Sequence, residues 1–439
     1  GVTSNGIEIG LNNIESIINN SGTILVTGVD SNAFQSLGGT SGTVFNNSGK
    51  IVSMQGNSIV FGASDSILNL AAPSFIGGAM DFGTATNDVN ITTGRSQSNL
   101  WDFSNGANPT PAMSFGGDVP WAWNAATSQF ATIDPTALSA APDMLADNAA
   151  ALSQVTRSNN GVNAGNWWLG GFGGWSGYGA VGVNNDYTNA NGGVAGGVSF
   201  DINDSLNIGL MTAYLANNFV ANSKWMTSQT ITGQGGVVGI YGNAKLDAFF
   251  ADFAIYVGAQ NNDSSRLVND NLAALGVDYA NANYNSWFIA PELRVGVDIA
   301  TDGEWVITPS ASARISMQQI DGYSETGSNA NATIAARNVQ VFEGNIELAA
   351  TRKVEVGTFT IAAGAQYRQN LGAGTQAVTL LGQNLAIPVN TAGSIAGYLG
   401  LDATFDISDN SVLNLAAKAA IGTNDYVSVS GSLGIKTVF

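Results

Sequence analysis

Residues 305–318 read WVITPSASARISMQ, and the order of apolar and polar side chains in this stretch decides the fold. Trp305, Ile307, Pro309, Ala311, Ala313, Ile315 and Met317 hold the odd positions, while Thr308, Ser310, Ser312, Arg314, Ser316 and Gln318 hold even ones. Successive side chains of an extended strand point to opposite faces, so one face here is apolar and the other polar. Residues 287–299 divide the same way, with Trp287, Ile289, Leu293, Val295, Val297 and Ile299 against Glu292, Arg294 and Asp298. In residues 359–368 the split is Phe359, Ile361 and Tyr367 against Thr360, Gln366 and Arg368. Alternation alone does not say which face points inward.

Strand length and loop asymmetry supply the direction. About twelve such segments fill the chain from 166 onward: roughly 166–178, 191–201, 206–216, 228–242, 248–261, 283–299, 305–318, 338–350, 359–368, 394–405, 411–420 and 426–439. Short polar turns at 202–205, 243–247, 300–304 and 407–410 alternate with longer connections at about 179–190, 217–227, 262–282, 319–337 and 369–393. An even number of antiparallel strands, with short turns at one end and long loops at the other, is the pattern of a transmembrane β-barrel. The apolar faces then meet lipid, because an Arg or Lys turned outward near mid-membrane would cost about 2–4 kcal/mol. This places Asp252, Glu292, Arg294, Asp298, Arg314, Glu343, Glu347, Arg368, Asp402, Lys418 and Lys436 in the lumen. A lumen carrying both signs of charge can hold a polar helix by paired hydrogen bonds and bound water.

Composition narrows the rest. Only 10% of the 439 residues are charged, 55 are Gly, and there is neither Cys nor His. Thiolate zinc sites, haem histidines and Ser-His or Cys-His catalysis are therefore excluded. With 14 Lys+Arg against 32 Asp+Glu, the net charge of −18 has the wrong sign for tracking a phosphate backbone, and no nucleic acid is expected as a partner. Residues 160–185 are uncharged, but their glycines rule out a membrane helix. No Gly-rich phosphate loop precedes a helix, and residues 267–278 (LVNDNLAALGVD) lack calcium-loop spacing, so no cofactor or metal is expected.

Upstream of the barrel the periodicity changes twice. IINNSGTI at 17–24 returns as VFNNSGKI at 44–51, and further short strands read at 57–61 and 66–70. A repeat of this size suits a parallel β-helix, whose tight corners favour Asn and Gly. From about 94 to 134 the pattern lapses into Asn, Pro, Gly and isolated aromatics such as Trp101, Phe103, Trp121 and Trp123, which reads as a connector. A helix follows. Asp134 before Pro135 has the form of a cap, Pro142-Asp143 that of a second start, and residues 144–157 (MLADNAAALSQVTR) contain neither Gly nor Pro. About sixteen residues give about 25 Å of helix, the height of a barrel's apolar band. Met144, Leu145, Asn148, Leu152 and Val155 are the expected pore-helix residues, in a helix polar enough to suit a wet enclosure. The chain opens Gly-Val-Thr-Ser without the regions of a signal peptide, which reads as a trimmed chain with more solenoid upstream.

Together these stretches resemble a known family. WLGGFGGW at 168–175, residues 192–200 with NDSLNIGLMTAY at 203–214, VGIYG at 238–242, ITP at 307–309, GYSETG at 322–327 and the terminal Phe439 stand in the order found in the C-terminal translocator of type V secretion (autotransporter) proteins. The upstream repeats look like a remnant of a β-helical passenger. The resemblance implies an all-β protein: a 12-stranded antiparallel transmembrane β-barrel with a lumenal α-helix, preceded by a short parallel β-helix. Residues 1–93 would be the passenger segment, 94–134 the connector, 135–158 the linker helix and 159–439 the barrel. The implied function is an outer-membrane anchor that translocates and displays its own N-terminal passenger at the cell surface, with no enzymatic activity. The alternative is a passive porin with an N-terminal plug. Gly434, Ile435, Thr437 and Phe439 resemble the signal read by the barrel-assembly machinery, although Thr437 stands where an aromatic is usual. Implied partners are outer-membrane lipid and lipopolysaccharide, with that machinery and periplasmic chaperones during biogenesis, and a monomer is expected. Some family members cut their own passenger inside the barrel, and Asn148, Asn159 and Asn160 with Glu343, Glu347 or Asp402 would be the residues for that chemistry.

Overall fold

The computed structural model describes residues 5–11, 15–37, 42–104, 111–159, 166–301 and 304–438. Among these, twelve long antiparallel strands close into a barrel. They are β1 (Asn166–Tyr178), β2 (Asp186–Asn203), β3 (Leu206–Asn222), β4 (Thr227–Leu246), β5 (Phe249–Asp270), β6 (Asp278–Val297), β7 (Trp305–Ile320), β8 (Arg337–Val354), β9 (Gly357–Asn370), β10 (Ser394–Ser408), β11 (Ser411–Gly422) and β12 (Val427–Val438). Each strand pairs with the next, and β12 returns to β1 with Gly434 opposite Gly170, so the wall has no free edge. The alternation settles the facing as expected: Ile315, Val295, Leu293, Ile346, Leu399 and Leu433 are exposed on the outside, while Arg314 between them is buried.

The strands run past the expected ends at one rim. Much of 217–227 and 262–282, expected as loop, continues β3 to β6, because polar side chains satisfy the wall above the membrane as well as loop would. The two longest connections fold as well. Tyr323–Ser324, Thr333–Ile334, Thr375–Leu380 and Gln383–Pro388 form a small four-stranded sheet over this rim. Arg266 of β5 pins it through a buried pair with Glu325 and a 2.8 Å bond to the Ala330 carbonyl.

The N-terminal repeat is a solenoid of three parallel faces. On one face Ser16–Asn20 pairs with Thr43–Asn47, aligning Ile17 with Val44 and Asn20 with Asn47, as the 27-residue repeat requires. Later rungs are shorter, Asn46 lying beside Asn69 and Asn69 beside Asn90. Their side chains form an amide ladder in which Asn46, Asn69 and Asn90 donate in turn to Asn19, Asn46 and Asn69 at 2.8, 2.6 and 2.8 Å. Inside, Phe34, Phe61, Phe82 and Phe103 follow one another one per rung in edge-on and tilted contacts, with centroids 5.9–6.0 Å apart.

The shortening hides regular structure in residues 94–134, expected as a connector, where the described residues continue the solenoid. Ala112–Gly117 pairs in parallel with Asp88–Thr93 as one more rung, and Ser98–Asp102, Trp121–Asn124 and Gln129–Thr132 form an antiparallel cap. The isolated aromatics, Trp101, Phe115, Trp121, Trp123 and Phe130, fill its core.

Solenoid and barrel meet strand to strand. Ser98–Leu100 pairs in parallel with Val268–Asp270 at the top of β5. The buried Asn269 accepts from the Ile76 amide at 2.9 Å and donates to the Ile76 carbonyl at 2.7 Å, occupying the place of a next rung's peptide group. Two other hairpins reach the solenoid: Trp225 donates to the Pro73 carbonyl and Gln383 to the Trp123 carbonyl, both at 2.5 Å.

Candidate functional site: the plugged lumen

A single helix, α1 (Thr136–Asn159), occupies the barrel lumen. At about 36 Å it is longer than the expected segment and exceeds the height of the apolar band. Asp134 caps it as its sequence suggests: its Oδ1 accepts from the Thr136 amide at 3.0 Å, and Pro135 takes the first helical position, where no amide is needed. Burial raises the Asp134 carboxyl above its ordinary range, while hydrogen bonds from Thr136 and Asn185 pull it down. Pro142 is not a second start. It lies inside a continuous helix.

The rim holds the start of α1 at several points. Gln229 donates to the Asp134 carbonyl and accepts from the Ala137 amide, at 2.9 and 2.8 Å. Asn185 donates to Asp134 at 2.9 Å and to the Ser96 carbonyl at 3.0 Å, tying helix, barrel and solenoid base together. Leu138, Leu100, Ile133, Val268, Ile334, Val378 and Ile387 bury one another in a common core at this rim.

Deeper in the lumen the two sides of the wall differ. Toward β1–β5, Leu145, Ala149, Leu152 and Val155 pack into Trp168, Phe172, Met211, Leu215, Val237 and Tyr241, in a cluster that continues above the charges through Tyr284, Phe288 and Ala290 of β6 to Val339 and Val341 of β8. This apolar half departs from the uniformly polar lumen that the sequence suggests. It arises because the inner faces of β1–β4 carry Gly, Ala, aromatic and uncharged Asn residues at the depth where β6–β9 carry charges. Trp168 donates its indole N–H to the Tyr241 hydroxyl at 2.8 Å, so neither polar atom is stranded.

Toward β6–β9 the wall carries a belt of alternating charge. Glu292, Arg314, Glu343 and Arg368 stand directly opposite one another on four successive strands. Arg314 bridges Glu292 at 3.1 Å and Glu343 at 2.5 Å, and Glu343 meets Arg368 at 3.1 Å. The belt ends on the helix. Arg368 pairs with Asp147 at 3.1 Å and Asp143 at 3.3 Å, and Glu292 accepts from Ser153 at 2.8 Å. A second row joins Asp252 to Arg294 at 3.2 Å and Arg294 to Glu347 at 3.1 Å, with Arg157 of the helix 3.6 Å from Glu347. Asp298 accepts from Thr308, and Asp402 and Lys418 line a cavity of about 470 Å³ beside the last helical turns.

Asp252, Glu292, Arg294, Asp298, Arg314, Glu343, Glu347, Arg368, Asp402 and Lys418 thus face inward, Lys436 lines a pocket at the short-turn rim with Asp409 and Ser411, and Leu145, Asn148, Leu152 and Val155 of the pore helix are buried against the wall. Met144 turns to a separate cluster with Tyr187 and Phe219. Sequence reasoning missed Asp143 and Asp147 as the partners of Arg368. The available signal was their spacing of four on a helix whose other charge is Arg157, which puts both carboxylates on one face.

The helix ends at the seam. Asn159 accepts from Asn414 at 3.1 Å and donates to the Val155 carbonyl at 2.8 Å. A Cβ on Gly434 would meet the Asn159 side chain, so that glycine makes room for the last turn. Neither Asn148 nor Asn159 hydrogen-bonds a carboxylate among the described residues, and Glu343 and Glu347 are engaged with arginines; Asn160 lies outside the described residues. The geometry gives no support to self-cleavage at those two positions. Leu433 and Ile435 point outward and Thr437 bonds Ser411 at 2.9 Å, while Phe439 lies outside the described residues.

Fold and site together define a plugged transmembrane β-barrel, with a solenoid seated on its long-loop rim. The family described as autotransporter beta-domain matches residues 167–436, and the chain belongs to it. The barrel is accordingly an outer-membrane translocator domain. Among solved structures, the translocator domain of autotransporter NalP from Neisseria meningitidis is similar at a TM-score of 0.55 and 12% identity, covering 69% of this chain and 98% of that one. The β-domain of the Bordetella autotransporter BrkA gives 0.47 at 16% identity over 63% and 100% of the two chains. The transport unit of AIDA-I from Escherichia coli gives 0.47 at 16% over 70% and 99%. No curated protein matches the chain in sequence.

Proposed function

We propose that the barrel anchors the chain in the outer membrane and, having translocated its own N-terminal segment, displays the solenoid at the cell surface. The path of α1 supports this reading. It starts at the long-loop rim, where the solenoid base is seated, and ends at the short-turn rim beside β12 and the start of β1. In bacterial barrels the long loops face outward. A chain laid in this way joins a solenoid outside the cell to a barrel whose first strand begins inside it. The outer belt of Ile, Leu and Val meets lipid and lipopolysaccharide, and the C-terminal strand with Phe439 is read by the barrel-assembly machinery after periplasmic chaperones deliver the monomer.

The test is conductance in planar bilayers. Removing residues 1–158 is expected to turn a nearly silent barrel into a conducting one, with the acidic excess favouring cations. High conductance in both forms would instead make the protein a porin.

A further inference from the structure

We propose that Arg337 is the positioning residue that fixes the register of the plug, by donating to the helix carbonyl that Pro142 leaves without an amide. Proline has no N–H, so Pro142 cannot close the bond to the carbonyl four residues earlier. That carbonyl belongs to Leu138, whose side chain is 5% exposed. Arg337, the first residue of β8, donates Nη1 to the Leu138 oxygen at 2.7 Å. Its setting is unlike that of the other wall arginines. Arg266, Arg294, Arg314 and Arg368 each pair with a carboxylate, and Arg337 has no such pair among the described residues. It lies instead against Ala137, Ala141 and Tyr284, whose ring stacks on Tyr323 at 4.2 Å.

The arginine belt cannot supply this information by itself. Asp143 and Asp147 are one helical turn apart, so a slip of about 5.4 Å puts Asp147 where Asp143 stood and leaves Arg368 with a partner. The proline gap has no such copy. Pro142 is the one proline inside α1, and after a slip Arg337 would face a carbonyl already bonded within the helix. Arg368 grips the plug, and Arg337 adds to the contacts of Gln229 at the rim and of Asn159 at the seam in selecting the turn at which it is gripped.

This inference rests on the plug reading, and cross-linking in the full chain separates the two. The protein has no native cysteine, and Ser158 lies 3.3 Å from Ser432, oxygen to oxygen. The rate of disulfide formation in S158C/S432C therefore reports the register. Loss of a charge-assisted hydrogen bond corresponds to roughly a tenfold change in population. Arg337→Met and Pro142→Ala are each expected to slow the reaction about tenfold, the double variant no more than either alone, and Arg337→Lys by less than about twofold. If S158C/S432C does not cross-link in the otherwise unchanged protein, the plug reading fails. If it does, and Pro142→Ala leaves the rate unchanged or adds independently to Arg337→Met, the register role is overturned. Should Arg337→Met not assemble, Pro142→Ala decides alone.

Discussion

On its β1–β5 side the plug buries Leu145, Leu152 and Val155 against Trp168, Met211 and Leu215. Its polar side presents Asp143, Asp147 and Ser153 to Arg368 and Glu292 of β6–β9, and Tyr178, Tyr187 and Asn189 of β1 and β2 donate to the same two aspartates. Apolar burial is proportional to area and indifferent to small rotations. The ion pairs are directional, and their cost rises steeply when one partner is lost. One half of the lumen thus provides adhesion and the other orientation, and a helix held by either half alone would be loose in a different coordinate.

The sharpest way to break the comparison is at Arg368. Arg368→Met leaves Asp143, Asp147 and Glu343 facing one another in a buried site, and a destabilisation of about 3–5 kcal/mol is expected in urea unfolding of the full chain. Asp147→Asn combined with Arg368→Met should recover part of it; no recovery would mean that the belt, and not the helix contact, bears the cost. Next is the facing of the wall. Ile315→Arg should cost about 2–4 kcal/mol and deplete heat-modifiable barrel in membranes, whereas Ser312→Ala on the lumenal side should pass unnoticed. Equal tolerance at both would contradict the outward facing.

Truncating the apolar half should cost somewhat less than breaking the ionic one. Leu152→Ala opens a cavity beside Trp168 and is expected to destabilise by about 2–3 kcal/mol, with plug closures in single-channel records becoming briefer. The smallest effect is assigned to Asp134. Burial raises its folded-state carboxyl above the unfolded value, so its contribution to stability is greatest below the unfolded pKa and declines as pH rises toward the folded one. Asp134→Asn keeps a capping oxygen and removes the buried charge. It should be neutral within about 0.5 kcal/mol near pH 7 and flatten the decline of stability as pH rises above the ordinary carboxylate range. A loss as large as that of Asp134→Ala would show that charge, not capping, matters there.

The same division governs what the sequence made legible. Where a strand alternates Ile or Leu with Arg or Glu, as in β6 and β7, facing follows from the cost of charge in lipid, and the lumenal charges were readable one by one. In β1 and β2 the inner face carries Gly, Ala, Trp and Phe with uncharged Asn, Ser and Tyr, which sets it little apart from the outer face, and nothing in NWWLGGFGGWSGY announces an apolar cradle. The rungs after Leu70 were lost for a related reason. A 27-residue period cannot be followed once corners shorten, although the Phe ladder through Phe82 and Phe103 continues unbroken. Contacts such as Arg337 with Leu138 join residues 199 apart and depend on a missing amide, which residue-type patterns do not record.

The rim hairpins that touch the solenoid have a mechanical consequence. Contacts at Trp225, Asn269 and Gln383 come from the β3–β4 connection, the top of β5 and the β9–β10 connection, which are spread around the barrel's circumference. A sideways drag on the solenoid therefore has no single hinge about which to swing. Tilting toward one hairpin stretches another, and the load passes into the wall as tension along strands instead of as a peeling force on the chain that enters the pore.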